Sequence, residues 1–117
     1  MNRILIIEDK PRIAAFLEKG LRVKGFTTTV SQDGCEPFHS AYGEVFDLIL
    51  LDLNLPGQHG LDILKDLRTQ GYDLPIIILT ASDSLKNKEL SFLYGANDYL
   101  TKPFKFADLL ERVRALL

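Results

Sequence analysis

Five short runs of aliphatic and β-branched residues recur along the chain, separated by stretches long enough for helices. The runs are Ile4-Leu5-Ile6-Ile7, Phe26-Thr27-Thr28-Thr29-Val30, Leu48-Ile49-Leu50-Leu51, Pro75-Ile76-Ile77-Ile78-Leu79 and a weaker Tyr99-Leu100. Most of them lack polar alternation, the pattern of strands covered on both faces as in a parallel sheet. Between them, Pro11 suits the first turn of a helix, and Ile13, Ala14, Leu17 and Leu21 then share one face. Leu61, Leu64 and Leu67 mark a third helix, and Phe106, Leu109, Leu110, Val113, Leu116 and Leu117 a strongly amphipathic fifth. Pro37 confines the second to a short stretch near Pro37–Ala41. The fourth, around Ser84–Leu93, has an irregular apolar stripe and is the element best suited to move. Strands alternating with helices predict an α/β fold, a doubly wound five-stranded parallel sheet with right-handed crossovers.

Composition removes several function classes. A chain of 117 residues suits one compact domain, and that size buries roughly two-thirds of the surface its unfolded form exposes. Its 14 Lys+Arg against 16 Asp+Glu give a net charge of −2, which excludes nucleic-acid binding by bulk electrostatics. The single cysteine, Cys35, cannot form an internal bridge and points to a reducing compartment. The apolar run after Arg3 stops at Glu8, too short for a secretory signal, and no segment approaches the ~20 apolar residues that cross a bilayer. The expectation is a soluble cytoplasmic domain that contacts neither membrane nor nucleic acid directly.

Ligands of a doubly wound sheet sit beyond the carboxyl ends of the strands. Strand one ends in Glu8-Asp9, strand three in Asp52 and strand four in Thr80, while strand five runs into Lys102-Pro103. Strand two ends in Val30-Ser31 and offers no strong group. Three carboxylates, a hydroxyl and an ammonium therefore converge on one rim. Like charges that close raise one another's pKa, and a hard divalent cation resolves the conflict; Mg2+ suits a small all-oxygen site. Asp52 then has the role of nucleophile, accepting a phosphoryl group as an acyl phosphate, with Thr80 and Lys102 on the remaining phosphoryl oxygens. Taken singly, each residue has a plainer reading: Glu8-Asp9 as a helix-entry pair, Asp52 as a loop start, Thr80 as a helix cap, Lys102 as a solvated lysine.

The stretches RILIIED (Arg3–Asp9), FDLILLDLNLPG (Phe46–Gly57), PIIILTA (Pro75–Ala81) and GANDYLTKPF (Gly95–Phe104) resemble, in order and spacing, the receiver domain of a two-component response regulator. The resemblance covers the whole chain, 1–117, and implies a flavodoxin-like sheet of order 2-1-3-4-5. It makes Asp52 the phosphoacceptor, fed by a phosphohistidine of a sensor histidine kinase. Mg2+ would be held by the acidic pair Glu8 and Asp9, by Asp52 and by the backbone carbonyl of Asn54. Thr80 would turn toward the phosphoryl group, Lys102 would pair with it, and the ring of Tyr99 would follow Thr80 in a population shift. The Lys102-Pro103 bond would be cis, as the family's usually is.

The tail LLERVRALL after KPFKFAD resembles receivers of the winged-helix (OmpR/PhoB-type) transcription factors. Those dimerise through the fourth helix, fifth strand and fifth helix by interchain charge pairs, and Lys88, Asp98, Asp108 and Arg112 match such positions. Tyr94 and Asn97 stand where acids are expected, so the resemblance implies a weaker dimer, each exposed pair contributing only ~0.2–1 kcal/mol. A DNA-binding output domain is absent from this sequence, which is then either a piece of a longer regulator or a free-standing receiver.

Other departures have plain readings. Lys10 follows the acidic pair where relatives often carry another acid; a cation there would weaken metal binding if it turned inward, and it is expected to be mostly solvated. His59 reads as an exposed loop residue, His39 as a surface histidine and Cys35 as a passive thiol. The rival is an aspartate-nucleophile phosphatase of the haloacid-dehalogenase kind, which needs a second aspartate two residues after the first. That position is Asn54, which cannot titrate usefully. A flavin site is disfavoured because Glu8-Asp9-Lys10-Pro11 would repel a phosphate. A phosphate-independent interaction module would show no response to Mg2+ or a phosphodonor.

Overall fold

The computed structural model describes residues 2–32, 46–55, 58–81 and 84–117. The expected second helix near Pro37–Ala41, with Cys35 and His39, lies outside the described residues. The elements in chain order are β1 (Arg3–Ile7), α1 (Pro11–Val23), β2 (Thr27–Ser31), β3 (Leu48–Asp52), β4 (Asn54–Leu55), β5 (Gln58–His59), α2 (Gly60–Thr69), β6 (Ile76–Thr80), α3 (Leu85–Leu93), β7 (Asp98–Thr101) and α4 (Phe106–Leu116). Five strands form one parallel sheet in the order β2-β1-β3-β6-β7, which is the expected 2-1-3-4-5 arrangement once the short β4–β5 pair is set aside.

The unbroken aliphatic runs occupy the middle of the sheet, where each residue is covered from one side or the other. Leu5, Ile7, Ile49, Leu51, Ile76 and Ile78 face one layer with Ile63, Leu64 and Leu67 of α2. Their neighbours Ile4, Ile6, Leu48, Leu50, Ile77 and Leu79 face the opposite layer with Leu17 and Leu21 of α1 and Leu109 and Val113 of α4. Alternation of side chains along a strand converts a continuous apolar run into two cores. The edge strand β2 is more polar because one side of it meets water, and its burial alternates.

Three local features differ from the sequence expectation. The second strand starts at Thr27, because the Phe26 N–H donates to the Leu21 carbonyl at 3.1 Å and closes α1 instead. Asn54-Leu55 and Gln58-His59 form an antiparallel pair that two residues are too short to announce. Leu117 follows α4 and is 43% exposed, outside the apolar face that was expected to include it. The weak stripe of α3 is real: Ser91 is its one buried residue, while Leu85 and Leu93 stand 69% and 74% exposed.

Arg68 in the last turn of α2 ties the layers together. Its guanidinium donates to the carbonyls of Tyr72 (2.8 Å), Leu74 (2.7 Å) and Gly95 (2.8 Å) and to Asn97 Oδ1 (3.0 Å). Asn97 Oδ1 also accepts from the Ile76 N–H at 3.0 Å, so β6 and the turn before β7 share one anchor. Burial lowers the Arg68 pKa from its ordinary value, and Asp73 pulls it back up.

Gly60 opens α2 directly against the end of β3. Its N–H donates to the Leu53 carbonyl at 2.9 Å, and a Cβ there would lie 2.5 Å from both the Asp52 carbonyl oxygen and Leu53 Cα. Both are backbone atoms with nowhere to go. Gly60→Ala is expected to destabilise the domain by about 1–3 kcal/mol, the usual range for overpacking, read as a lower urea midpoint; an unchanged midpoint would show that the α2–β3 approach can relax.

Candidate functional site

The carboxyl ends of β1, β3, β6 and β7 carry the chemistry, and the sheet ladder places each group. The Glu8 N–H donates to the Ser31 carbonyl at 2.9 Å, extending the β1–β2 pairing by one residue. Asp52 ends β3 opposite Leu79. The Lys102 N–H donates to the Thr80 carbonyl at 2.8 Å, which brings the lysine from β7 alongside β6. The Lys102-Pro103 bond is cis.

Glu8 and Asp52 are each 2% exposed. Lys102 Nζ lies 2.6 Å from Glu8 Oε1 and 3.3 Å from Asp52 Oδ2, so one shielded ammonium serves two buried carboxylates. The Asp52 oxygens have different partners: Oδ1 accepts from the Asn54 N–H at 3.0 Å, whereas Oδ2 faces the ammonium. Thr80, fully buried, accepts at Oγ1 from Asn54 Nδ2 at 3.3 Å. Tyr99, one strand away and paired with Ile78, is buried in the α2-side core. Burial raises the Glu8 pKa above its ordinary value; Lys102 opposes this, and the neighbouring Asp52 adds to it.

Oxygens of Glu8, Asp9 and Asp52 all lie within 4.8 Å of one another. Asp9 Oδ1 is buried and has no hydrogen-bond partner. A buried carboxylate oxygen left without a hydrogen bond is costly, and a hard cation among three carboxylates is the group that would satisfy it. The donor set therefore fits Mg2+. A cleft of 430 Å³ opens beside these groups, with Ile13, Phe16, Pro103 and Phe104 among its apolar walls.

Lys10 is exposed over 53% of its side chain, in keeping with the solvated lysine expected, and its ammonium still leans over the acids, 3.8 Å from Asp9 Oδ1 and 3.8 Å from Asp52 Oδ2. Half of the side chain remains in water, and the three-acid cluster beneath supplies the attraction. His59 is exposed as expected, but its Nδ1 accepts from the Leu61 N–H at 3.1 Å and so caps α2. Of the residues expected at a dimer interface, Lys88 and Asp108 are exposed. Asp98 and Arg112 instead pair within the chain, at 2.8 Å. Asn97, expected to thin that network, has the separate task of holding Arg68 and β6.

A parallel sheet with an acidic cluster, a buried hydroxyl and a lysine at its carboxyl edge defines a class, and comparison with known proteins agrees. Residues 4–114 match the response regulator receiver domain family. The chain is 43% identical over 116 residues to the uncharacterized transcriptional regulatory protein YkoG of Bacillus subtilis, covering 99% of this chain and 51% of that protein. It superimposes on the BeF3-activated N-terminal receiver domain of Klebsiella pneumoniae RstA with a TM-score of 0.91, at 36% identity, covering 98% of this chain and 97% of the other. It matches the response regulator TrrA of Thermotoga maritima in complex with Mg(2+)-BeF with a TM-score of 0.89 at 32% identity, over the full length of both chains. The chain belongs to the response regulator receiver domains, the signalling domains of two-component systems, and is homologous to transcriptional regulators. It spans about half the length of the curated relative it matches. No helix among the described residues is long and apolar enough to cross a membrane.

The raised Glu8 pKa has a stability consequence in chelator-treated protein. A carboxyl whose folded pKa lies above its unfolded value contributes stability at low pH and loses it as pH rises through the folded pKa. The unfolding free energy of the wild type relative to Glu8→Gln is therefore expected to fall as pH climbs from 4.5, the ordinary glutamate value, upward. A relative stability that rises over that range in urea titrations would contradict it.

Proposed function

We propose that this chain is a phosphorylation-activated receiver that takes a phosphoryl group from a sensor histidine kinase onto Asp52 and passes the change to an output. The observation that carries the reading is Asp52 Oδ2, a buried carboxylate oxygen at a strand end that faces ammonium groups, while its sister oxygen is held by the Asn54 N–H. Such an oxygen is oriented for in-line attack, and the nearby cations suit a developing trianionic charge. Oδ2 forms the new bond to phosphorus as the bond to the kinase histidine nitrogen breaks, leaving an acyl phosphate on Asp52 and the imidazole with its electron pair. Glu8, Asp9, Asp52 and the Asn54 carbonyl would hold Mg2+, which when bound offsets charge on the phosphoryl oxygens.

The switch is read from the same rim. To reach a phosphoryl oxygen, Thr80 would give up its 3.3 Å contact with Asn54 Nδ2, and the buried Tyr99 ring would repack with it. Dimerisation would use α3, β7 and α4, with Lys88 and Asp108 meeting a second copy and the Asp98–Arg112 pair able to exchange across the boundary. The output would be transcription through a winged-helix DNA-binding domain, in the cytoplasm. The domain would catalyse only its own phosphorylation and dephosphorylation. Asn54, exposed beside the acyl phosphate, offers no general base for turnover of an external substrate.

Intact-mass spectrometry after acetyl phosphate and Mg2+ is expected to show one added phosphoryl group, absent from Asp52→Ala and blocked by chelator. No adduct, together with no response to beryllofluoride, would leave a phosphate-independent interaction module. Under beryllofluoride, Lys88→Glu is expected to raise the dimer dissociation constant by about twofold to thirtyfold, since two symmetry-related pairs at ~0.2–1 kcal/mol each sum to roughly 0.4–2 kcal/mol. Sedimentation velocity that finds the variant dimer as tight as the wild type would exclude this face.

A further inference from the structure

Lys10 occupies a place that helix energetics disfavour. It is the N-cap of α1, makes no side-chain cap bond, and no acid in the first turn of α1 offsets it. A cation at a helix N-terminus opposes the macrodipole. Its ammonium nevertheless lies 3.8 Å from both Asp9 Oδ1 and Asp52 Oδ2, so the acid cluster is what holds it there. It approaches the same Asp52 oxygen as Lys102, and both lysines line the cleft.

Formal charge shows what this does. Three carboxylates with Lys102 and Lys10 leave the pocket one net negative charge, where Lys102 alone would leave two. A divalent ion entering the pocket while Asp52 is bare overshoots to net positive and must displace or face an ammonium beside two of its ligands. Phosphorylation of Asp52 adds one negative charge and restores neutrality, with Lys10 free to pair with a phosphoryl oxygen.

We propose that Lys10 is a resident counter-cation that couples the two ligands, holding Mg2+ affinity down while Asp52 is bare and returning it when the phosphoryl group is present. This rests on the reading of the pocket as a Mg2+-dependent phosphoacceptor. In a receiver with this lysine, Mg2+ and phosphoryl group report on each other more strongly than charge elsewhere on the surface allows. Lys10 acts here as a positioning residue for charge, since it need not touch the metal.

The test is Mg2+ titration of the wild type, Lys10→Met and Lys10→Arg, followed by NMR amide shifts, with and without beryllofluoride. Lys10→Met keeps the side-chain length and removes no side-chain cap bond, since Lys10 makes none. It is expected to tighten Mg2+ binding to the bare protein by about fivefold or more, the effect of one unit charge near 4 Å even at the dielectric of water. The gain in Mg2+ affinity on adding beryllofluoride is expected to shrink by a comparable factor, and Lys10→Arg to follow the wild type. An unchanged Mg2+ affinity in Lys10→Met, where the wild type does bind, overturns the proposal alone. An equal tightening from Lys24→Met, an exposed lysine beyond the far end of α1, assigns the effect to net charge and also overturns it. If neither wild type nor variants bind Mg2+, the metal-site reading fails and takes the proposal with it.

Discussion

Two buried carboxylates share one shielded ammonium, and the carboxyl edge of the sheet is organised around that arrangement. Lys102 lies between Glu8 and Asp52 with 12% of its side chain exposed. Desolvating three charges is expensive, and Coulomb attraction repays the cost only when geometry is held closely. Removing Lys102 would leave Glu8 without a cation in the interior and Asp52 with only the half-exposed Lys10. Removing either acid would leave the lysine half-paired. The raised Glu8 pKa records that desolvation has the upper hand over the lysine's pull. A pocket poised in this way responds strongly to any charge that enters it.

The apolar layers make that poise possible. β1, β3 and β6 are buried along their whole length apart from Arg3, so their ends cannot drift relative to one another without opening two cores. Glu8 and Lys102 are placed by ladder hydrogen bonds, whose geometry is set by the sheet and owes nothing to side-chain chemistry. Gly60 lets α2 press on the backbone of Asp52, and Arg68 closes the opposite end of that helix against β6 and the turn before β7. α3 stands apart. With few buried residues and exposed Leu85, Phe92 and Leu93, it has the least to lose by moving. It follows the strand that carries Thr80 and precedes the one that carries Tyr99, which is where a conformational change driven from the pocket would be felt.

Much of this was legible in the residues. Continuous aliphatic runs such as Ile76-Ile77-Ile78-Leu79 can be satisfied only by strands covered on both faces, and α/β order follows. A carboxylate or hydroxyl placed directly after such a run must emerge at the sheet's edge, which is why Glu8, Asp9, Asp52, Thr80 and Lys102 form one group on the sequence alone. The β4–β5 pair was not legible, because two residues carry no periodicity. The Arg68 anchor was not legible either, since its partners are backbone carbonyls that any residue supplies.

What the sequence by itself determined is therefore the layer order, the sheet, the family and the roster of groups at the rim, all consequences of local patterning and chain order. Only the tertiary structure decided how those groups share their charges. Lys10 reads in the sequence as one more solvated lysine at a helix start; half of it stays in water, and its ammonium turns toward the pocket because three acids at the ends of two strands sum their potential at one point. Asp98 and Arg112, matched by resemblance to positions of interchain pairs, find each other within one chain because β7 and α4 bring them to 2.8 Å. Charge interactions depend on distance through space, and distance through space between residues far apart in the chain is what folding supplies.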